Sequence, residues 1–410
     1  MTKKGEYKWL CLIVSTLLML FMGLIYAWSI FRQPLNELFT EWTPSDLSRT
    51  FMISMISFCT GGFVSGKMSA VIKHRWIIMI AATFLLVGFV GISRFDVENP
   101  QKSLVMLYLF YGALCGIGIG LAYNAILSTV TKWFSKRAGM ASGVLLMGFG
   151  VGGMILGSAV TVLTNAYGLS ATFLILGISI AAVLAAGSFF IKLPPQDEKT
   201  AAAGGEVPLK KNYTVVEMLK TVSFWLFCAW MILVSSGGLM IINSAAVIAV
   251  TFGASAVLGL IVSVFNGAGR VLMGILFDKL GREKAMLIDT LVMMLAGTGL
   301  LLGAVLNNAV MIFIGMSLVG VAYGGAPALT SATILSFYGS KHYGANLGTA
   351  NFAIIAASII GPMISSYLQE NAGGTYNSTF LMIIAVSTFA LLVSILINLF
   401  SKQMKEVKEK

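Results

Sequence analysis

Charge is scarce in this chain. Asp, Glu, Lys and Arg make up 10% of its 410 residues, against about 25% in soluble domains. A surface so poor in charge cannot face water over its whole area, which excludes a soluble globular protein. Histidine is scarcer still: His74 and His342 are the only two, and both are expected on cytoplasmic loops. The four cysteines, Cys11, Cys59, Cys115 and Cys228, stand singly in separate apolar runs. They offer neither metal spacing nor a disulfide framework, and read as small packed residues. No acidic residue falls deep in an apolar run; Asp289 comes nearest, about one turn in from the cytoplasmic side. A proton relay through carboxylates or imidazoles therefore has no obvious members. Walker motifs, metal clusters and nucleophile–base sets are missing too, so no enzyme, cofactor or metal site is expected. The GFGVGG run at 148–153 has G-x-G-x-x-G spacing, but no strand precedes it and no nucleotide is implied.

What is abundant is apolar length. Hydrophobic residues reach 58% and the mean hydropathy is +0.90. Runs of about 20 apolar residues, each enough to cross the hydrocarbon core as a helix, recur along the whole chain. The alternation that a membrane β-barrel requires does not occur. An all-α membrane protein of twelve spans is predicted. The first six are Trp9–Phe31, Phe51–Ala70, Trp76–Ile92, Leu104–Leu127, Met140–Leu163 and Ala171–Ile191. The second six are Phe224–Val250, Ala256–Phe277, Ala285–Val305, Val310–Leu335, Leu347–Leu368 and Phe380–Phe400. The first run is too long for a signal-peptide core and lacks a small-residue cleavage site, so it reads as a retained helix.

The net charge of +11 follows topology rather than nucleic acid. With both termini cytoplasmic, only Arg32, Arg49, Arg94 and Lys102 fall outside and Arg270 falls within a span; every other Lys and Arg lies inside. The long polar stretch 192–220 reads as a cytoplasmic linker between residues 1–191 and 221–410, each a six-helix bundle. Its end, Tyr213–Lys220, suits a short amphipathic helix on the membrane surface. The two halves echo each other. Residues 66–75 (GKMSAVIKHR) after span 2 align with 274–283 (GILFDKLGRE) after span 8, and Tyr123 in span 4 with Tyr323 in span 10. Parallel repeats of this kind are the plan of alternating-access transporters.

The Gly274, Asp278, Gly281, Arg282 pattern resembles the cytoplasmic-loop signature of the major facilitator superfamily. The run 132–143 (KWFSKRAGMASG), the segment from Asn212 to Trp225 and Arg270 are similar to the oxalate/formate antiporter and monocarboxylate transporter families. The first half departs from the loop signature, with Ala70 in place of its acidic residue. The resemblance implies a major facilitator fold in the cell membrane. It further implies that spans 1, 4, 7 and 10 line the cavity and that Arg270 receives the substrate carboxylate.

Arg270 is also the strongest signal from residues alone. A charge inside a span costs several kcal/mol and is normally paired, water-lined or functional. Its span offers Gly267, Ala268 and Gly269 beside it and no carboxylate within a turn. An unpaired guanidinium fork suits a carboxylate bidentately. Asn266, one turn earlier, shares its face. Tyr26, Tyr123, Asn124 and Tyr323 lie at mid-span depth, with Ser235, Ser236 and Asn243 as weaker candidates; each fits substrate contact or plain interhelical packing. Met147 belongs to an apolar wall. Glycines spaced four apart on spans 2, 4, 5 and 10 are expected to let helices close up where the halves slide.

These readings converge on a secondary transporter of small monocarboxylates such as lactate, pyruvate or formate. The alternative is a dicarboxylate exchanger of the oxalate type, or a carrier of another organic anion. Oxalate exchangers carry a second basic residue in span 11, where this chain has FAIIAAS at 352–358. The expected partners are the carboxylate, a co-transported proton or a counter-anion, and the lipid bilayer, with no nucleic acid. A monomer is expected.

Overall fold

The structure, a computed structural model, describes residues 3–134, 138–194, 212–371 and 375–409. Among them the regular elements are helices alone. Helix α1 (Glu6–Leu38) runs past the predicted end at Phe31. Arg32, Gln33 and Glu37 interrupt the apolar run, but Leu35 is still buried and keeps the last turns packed. Helix α2 (Pro44–Met68) starts ahead of the predicted Phe51, because Thr43 and Asp46 form a reciprocal capping box with Pro44 in the first turn. Helices α3 (His74–Ile92) and α4 (Pro100–Trp133) follow, α4 passing through a π-helical stretch at Leu107–Cys115.

Ala138–Ser188 is one continuous helical run except at Gly168, where φ 80 and ψ 167 turn the chain. Such a φ suits glycine, and the arms before and after it, α5 and α6, match the two predicted spans. The remaining helices are α7 (Val222–Thr251), α8 (Ala256–Leu280), α9 (Arg282–Val305), α10 (Ala309–Tyr338), α11 (Tyr343–Gln369) and α12 (Asn377–Leu399). Among the described residues, eleven helical runs are thus long and apolar enough to cross a membrane, and the break at Gly168 makes twelve crossings of them. An even number puts both chain ends on one face, here called the termini face.

Residues 195–211 of the expected linker lie outside the described residues. Beyond them, Thr214 and Glu217 cap a one-turn helix, Val215–Leu219, within the predicted surface helix. The segment before it is tied to α10 and α11: Tyr213 N donates to Tyr338 O (2.9 Å), and Asn346 Nδ2 donates to Tyr213 O (2.9 Å).

Two seams join helices that precede residue 195 to helices that follow residue 211. Along α5 and α8, Gly139 faces Gly274, Gly143 lies on the backbone of Arg270, and Gly150 lies on Gly267. Along α2 and α11, Gly66 meets Gly344, Phe63 meets Gly348, and Cys59 Sγ contacts Asn351 O at 3.0 Å. Apolar burial does not favour one helix partner over lipid, so such close backbone approach supplies the van der Waals contact. Gly153 and Gly157 of α5 also meet α8, at Ser263 and Leu260, but three other rows do different work. Gly120 of α4 packs on α2, Gly320 and Gly324 of α10 pack on α8, and Gly148 and Gly152 of α5 pack on α1. Those rows hold together helices that all precede residue 195 or all follow residue 211.

Candidate functional site

Arg270 sits in α8 with 1% of its surface exposed. Its Nε donates to Asn266 Oδ1 at 2.8 Å, one turn earlier on the same helix. Its Nη2 donates to the Tyr26 hydroxyl of α1 at 3.3 Å. That hydroxyl lies 2.9 Å from the hydroxyl of Tyr323 on α10. Phe149 of α5 and Tyr26 present their rings to the guanidinium carbon, with centroids at 5.2 and 5.8 Å. Cation–π contact offsets part of the desolvation of the charge.

What is left over defines the chemistry. Arg270 Nη1 and Asn266 Nδ2 are buried and have no hydrogen-bond partner among the described residues. Arg270 forms no ion pair there either. Two orphaned donors on one charged cluster, one carried by a full positive charge, make a site complementary to a small anion.

Tyr123 reaches the cluster through its ring. It packs edge-on against Phe149 (5.3 Å) and Phe58 (5.1 Å), extending an aromatic wall from α2 to α10. Asn124 points elsewhere: its amide donates to the backbone carbonyls of Gly62 (2.8 Å) and Gly344 (3.0 Å), bracing α4 against α2 and α11. Ser236 bonds back to Ile232 O on its own helix, and Ser235 is buried. Asn243 belongs to the face opposite the termini. Its carbonyl accepts from Arg32 Nη1 at 2.9 Å, and its Nδ2 lies 3.4 Å from Ser48 Oγ. Met147 contributes its turn of α5, whose carbonyl lies against Gly267.

Contacts join neighbouring helices on both sides of this cluster. Toward the opposite face, Arg32 joins α1 to α7, and Ser48 meets Ser366 of α11 at 3.2 Å. Toward the termini face, the Asp278 carboxylate accepts from the backbone N–H groups of Gly139 (3.3 Å) and Met140 (2.9 Å). It thereby caps the positive end of α5. Gly281, at φ 82, turns the chain into α9. Arg282 donates to Ser223 Oγ at 3.0 Å and stacks on Phe337.

One expectation changes. His74 is not on a loop: it opens α3, is buried, and its Nε2 lies 3.1 Å from Ser128 Oγ. Asp289, expected about one turn into its span, is 0% exposed. Arg32, expected outside, lies in the helical extension of α1 past Phe31 and bridges to α7. Phe149 was missed as a site residue; its one signal was a bulky ring between Gly148 and Gly150, on a helix otherwise small on that side.

Residues 9–354 match the Major Facilitator Superfamily. The chain belongs to that superfamily. It is 28% identical over 348 residues to the uncharacterized MFS-type transporter YhjX of Escherichia coli K12, covering 83% of each chain. It is 28% identical over 396 residues to the oxalate:formate antiporter of Oxalobacter formigenes, covering 93% of this chain and 89% of the relative. In fold it is similar to the MFS proton:xylose symporter XylE, with a TM-score of 0.72 at 17% identity over 95% of each chain. The protein is thus a multi-pass membrane transporter of the major facilitator fold rather than an enzyme.

Proposed function

We propose that this transporter carries small monocarboxylates, of the lactate, pyruvate or formate kind, by alternating access. The observation that carries the reading is the pair of unsatisfied buried donors, Arg270 Nη1 and Asn266 Nδ2. A carboxylate can accept from donors of this kind, and its charge matches that of the single guanidinium. The aromatic wall of Phe149, Tyr26 and Tyr123 suits a short alkyl or hydrogen tail. The similarity to a protein named for oxalate and formate supports a carboxylate substrate. The rocking bodies are residues 1–191 and 221–410, joined by 192–220. The termini face is cytoplasmic and the membrane is that of the cell, since Lys and Arg concentrate on that face.

Uptake into proteoliposomes tests the reading. Arg270→Ala removes a charge-assisted pair, and leaving a buried partner alone costs about 3–5 kcal/mol. Uptake of labelled lactate or formate should fall by at least two orders of magnitude. Uptake at the parent's rate would refute the assignment. A dicarboxylate exchanger is the second reading, supported by the oxalate in that relative's name. Stabilisation by oxalate but by no monocarboxylate, in a thermal-shift comparison, would select it.

A further inference from the structure

One buried group has no part in gripping the anion. Asp289 of α9 is fully enclosed, about 10 Å along the helix from Arg282 at 1.5 Å per residue. Neither of its carboxyl oxygens has a hydrogen-bond partner among the described residues. Its Oδ1 fills the space left by the missing side chain of Gly325 on α10, and Met273 of α8 closes the same spot. Helix α9 packs against α7, α8, α10 and α12. The charged and titratable side chains on these helices are Arg282, Glu283 and Lys284 on α9 itself, then Arg270, Asp278 and Lys279 on α8. To these α10 adds Tyr323 and Tyr338, α7 adds Cys228, and α12 adds none among its described side chains. No ion pair links Asp289 to any of them. The neighbouring Thr290 hydroxyl is engaged, donating to Met286 O and accepting from Trp230 Nε1 at 2.8 Å each.

An ionised carboxylate enclosed without a cation or donor costs several kcal/mol, whereas the un-ionised acid carries no such charge penalty. A metal ion would need several oxygen ligands, and one carboxyl cannot supply them. The ion that fits is the proton. We propose that Asp289 is a proton-binding site, protonated from water on one side of the membrane and deprotonated to water on the other as α8 and α10 shift. The step forms one O–H bond at a carboxyl oxygen with a proton given up by hydronium; release is its reverse.

The geometry ties this proton to the anion. Met273 comes three residues after Arg270 on α8, and Gly325 comes two residues after Tyr323 on α10. The two helices that hold the anion cluster therefore also wall the carboxyl. Moving α8 against α10 to admit water at Arg270 moves the walls of Asp289 in the same step. Anion and proton then cross together as a neutral pair.

This inference rests on the carboxylate reading for its coupling, but not for the site itself. Infrared difference spectra of the purified protein in nanodiscs, without substrate, should show an un-ionised carboxylic acid band at neutral pH that Asp289→Asn removes. In proteoliposomes, an inward gradient of one pH unit should drive labelled lactate or formate to about tenfold accumulation. Asp289→Asn should abolish that accumulation, yet exchange internal for external lactate at the parent's rate. The proposal is overturned if the band is missing from the parent or survives in the variant. It is overturned equally if the parent ignores the gradient, or if Asp289→Asn concentrates lactate as the parent does. A parent that moves neither lactate nor formate refutes the carboxylate reading, and the infrared band alone then decides for or against Asp289.

Discussion

The hydroxyl of Tyr26 is shared between Arg270 and Tyr323: Arg270 Nη2 donates to it at 3.3 Å, and the Tyr323 hydroxyl lies 2.9 Å away on the other side. The tyrosines are 297 positions apart in sequence, so this bridge ties α1 to α10 at the Arg270 cluster itself.

The two tyrosines should therefore differ in effect. Tyr26→Phe strips a partner from a charged donor, worth about 1.5–3 kcal/mol, and Tyr323→Phe removes one neutral bond, worth about 0.5–1.5 kcal/mol. In counterflow assays, the rise in KM for lactate should be roughly tenfold or more for Tyr26→Phe and a few-fold for Tyr323→Phe. Equal effects would mean that the charge does not pass through Tyr26.

Asn266→Asp places a carboxylate one turn from Arg270. The opposite charge favours the ionised form of the new side chain, so at neutral pH it occupies the guanidinium. Lactate exchange should be lost at neutral pH and return only as the pH falls and the new carboxyl is protonated. A pH–rate profile parallel to the parent's would overturn this prediction.

Asp278 caps α5 from α8, and removing its charge should loosen the termini face. Charge at a helix end is worth about 0.3–1 kcal/mol at exposed sites and up to ~2 when partly buried. For Asp278→Asn, a cysteine introduced at Ala345, beside Gly66 across the α2–α11 seam, should react a few-fold faster with a soluble maleimide. An unchanged rate would remove Asp278 from any part in closing that face.

Arg32→Ala should act in the opposite sense. Without the Arg32 bond to Asn243 O, a cysteine at Ser366 should become more reactive from the opposite face. Combined with Asp278→Asn, the two effects on the open–closed balance should partly cancel. Additive gains in labelling at both faces would show general loosening instead of a two-ended equilibrium.

The spans were legible because long apolar runs have few alternatives in lipid. Arg270 and Asn266 were legible because a one-turn spacing on one helix needs no knowledge of the rest of the fold. Asn124 was not. It follows the π-helical stretch Leu107–Cys115 of α4, and each wide turn rotates the faces beyond it, so ordinary helical spacing does not say where its amide points. Asp289 was not legible either, because its enclosure depends on the vacant side of Gly325, on another helix. The start of α2 was readable in principle from Thr43, Pro44 and Asp46, a capping signature that apolar-run counting passes over.

The brace from Asn266 to Arg270 Nε has a consequence for affinity. A free arginine side chain carries about 2 kcal/mol of rotamer entropy, which a ligand normally has to overcome when it immobilises the group. Here the guanidinium is already oriented by a neighbour on the same rigid helix turn, and Nε is the nitrogen engaged. The fork is thus preorganised before any anion arrives. A small anion held as proposed, by donors on one turn of one helix, would then be gripped and released as that helix moves as a whole.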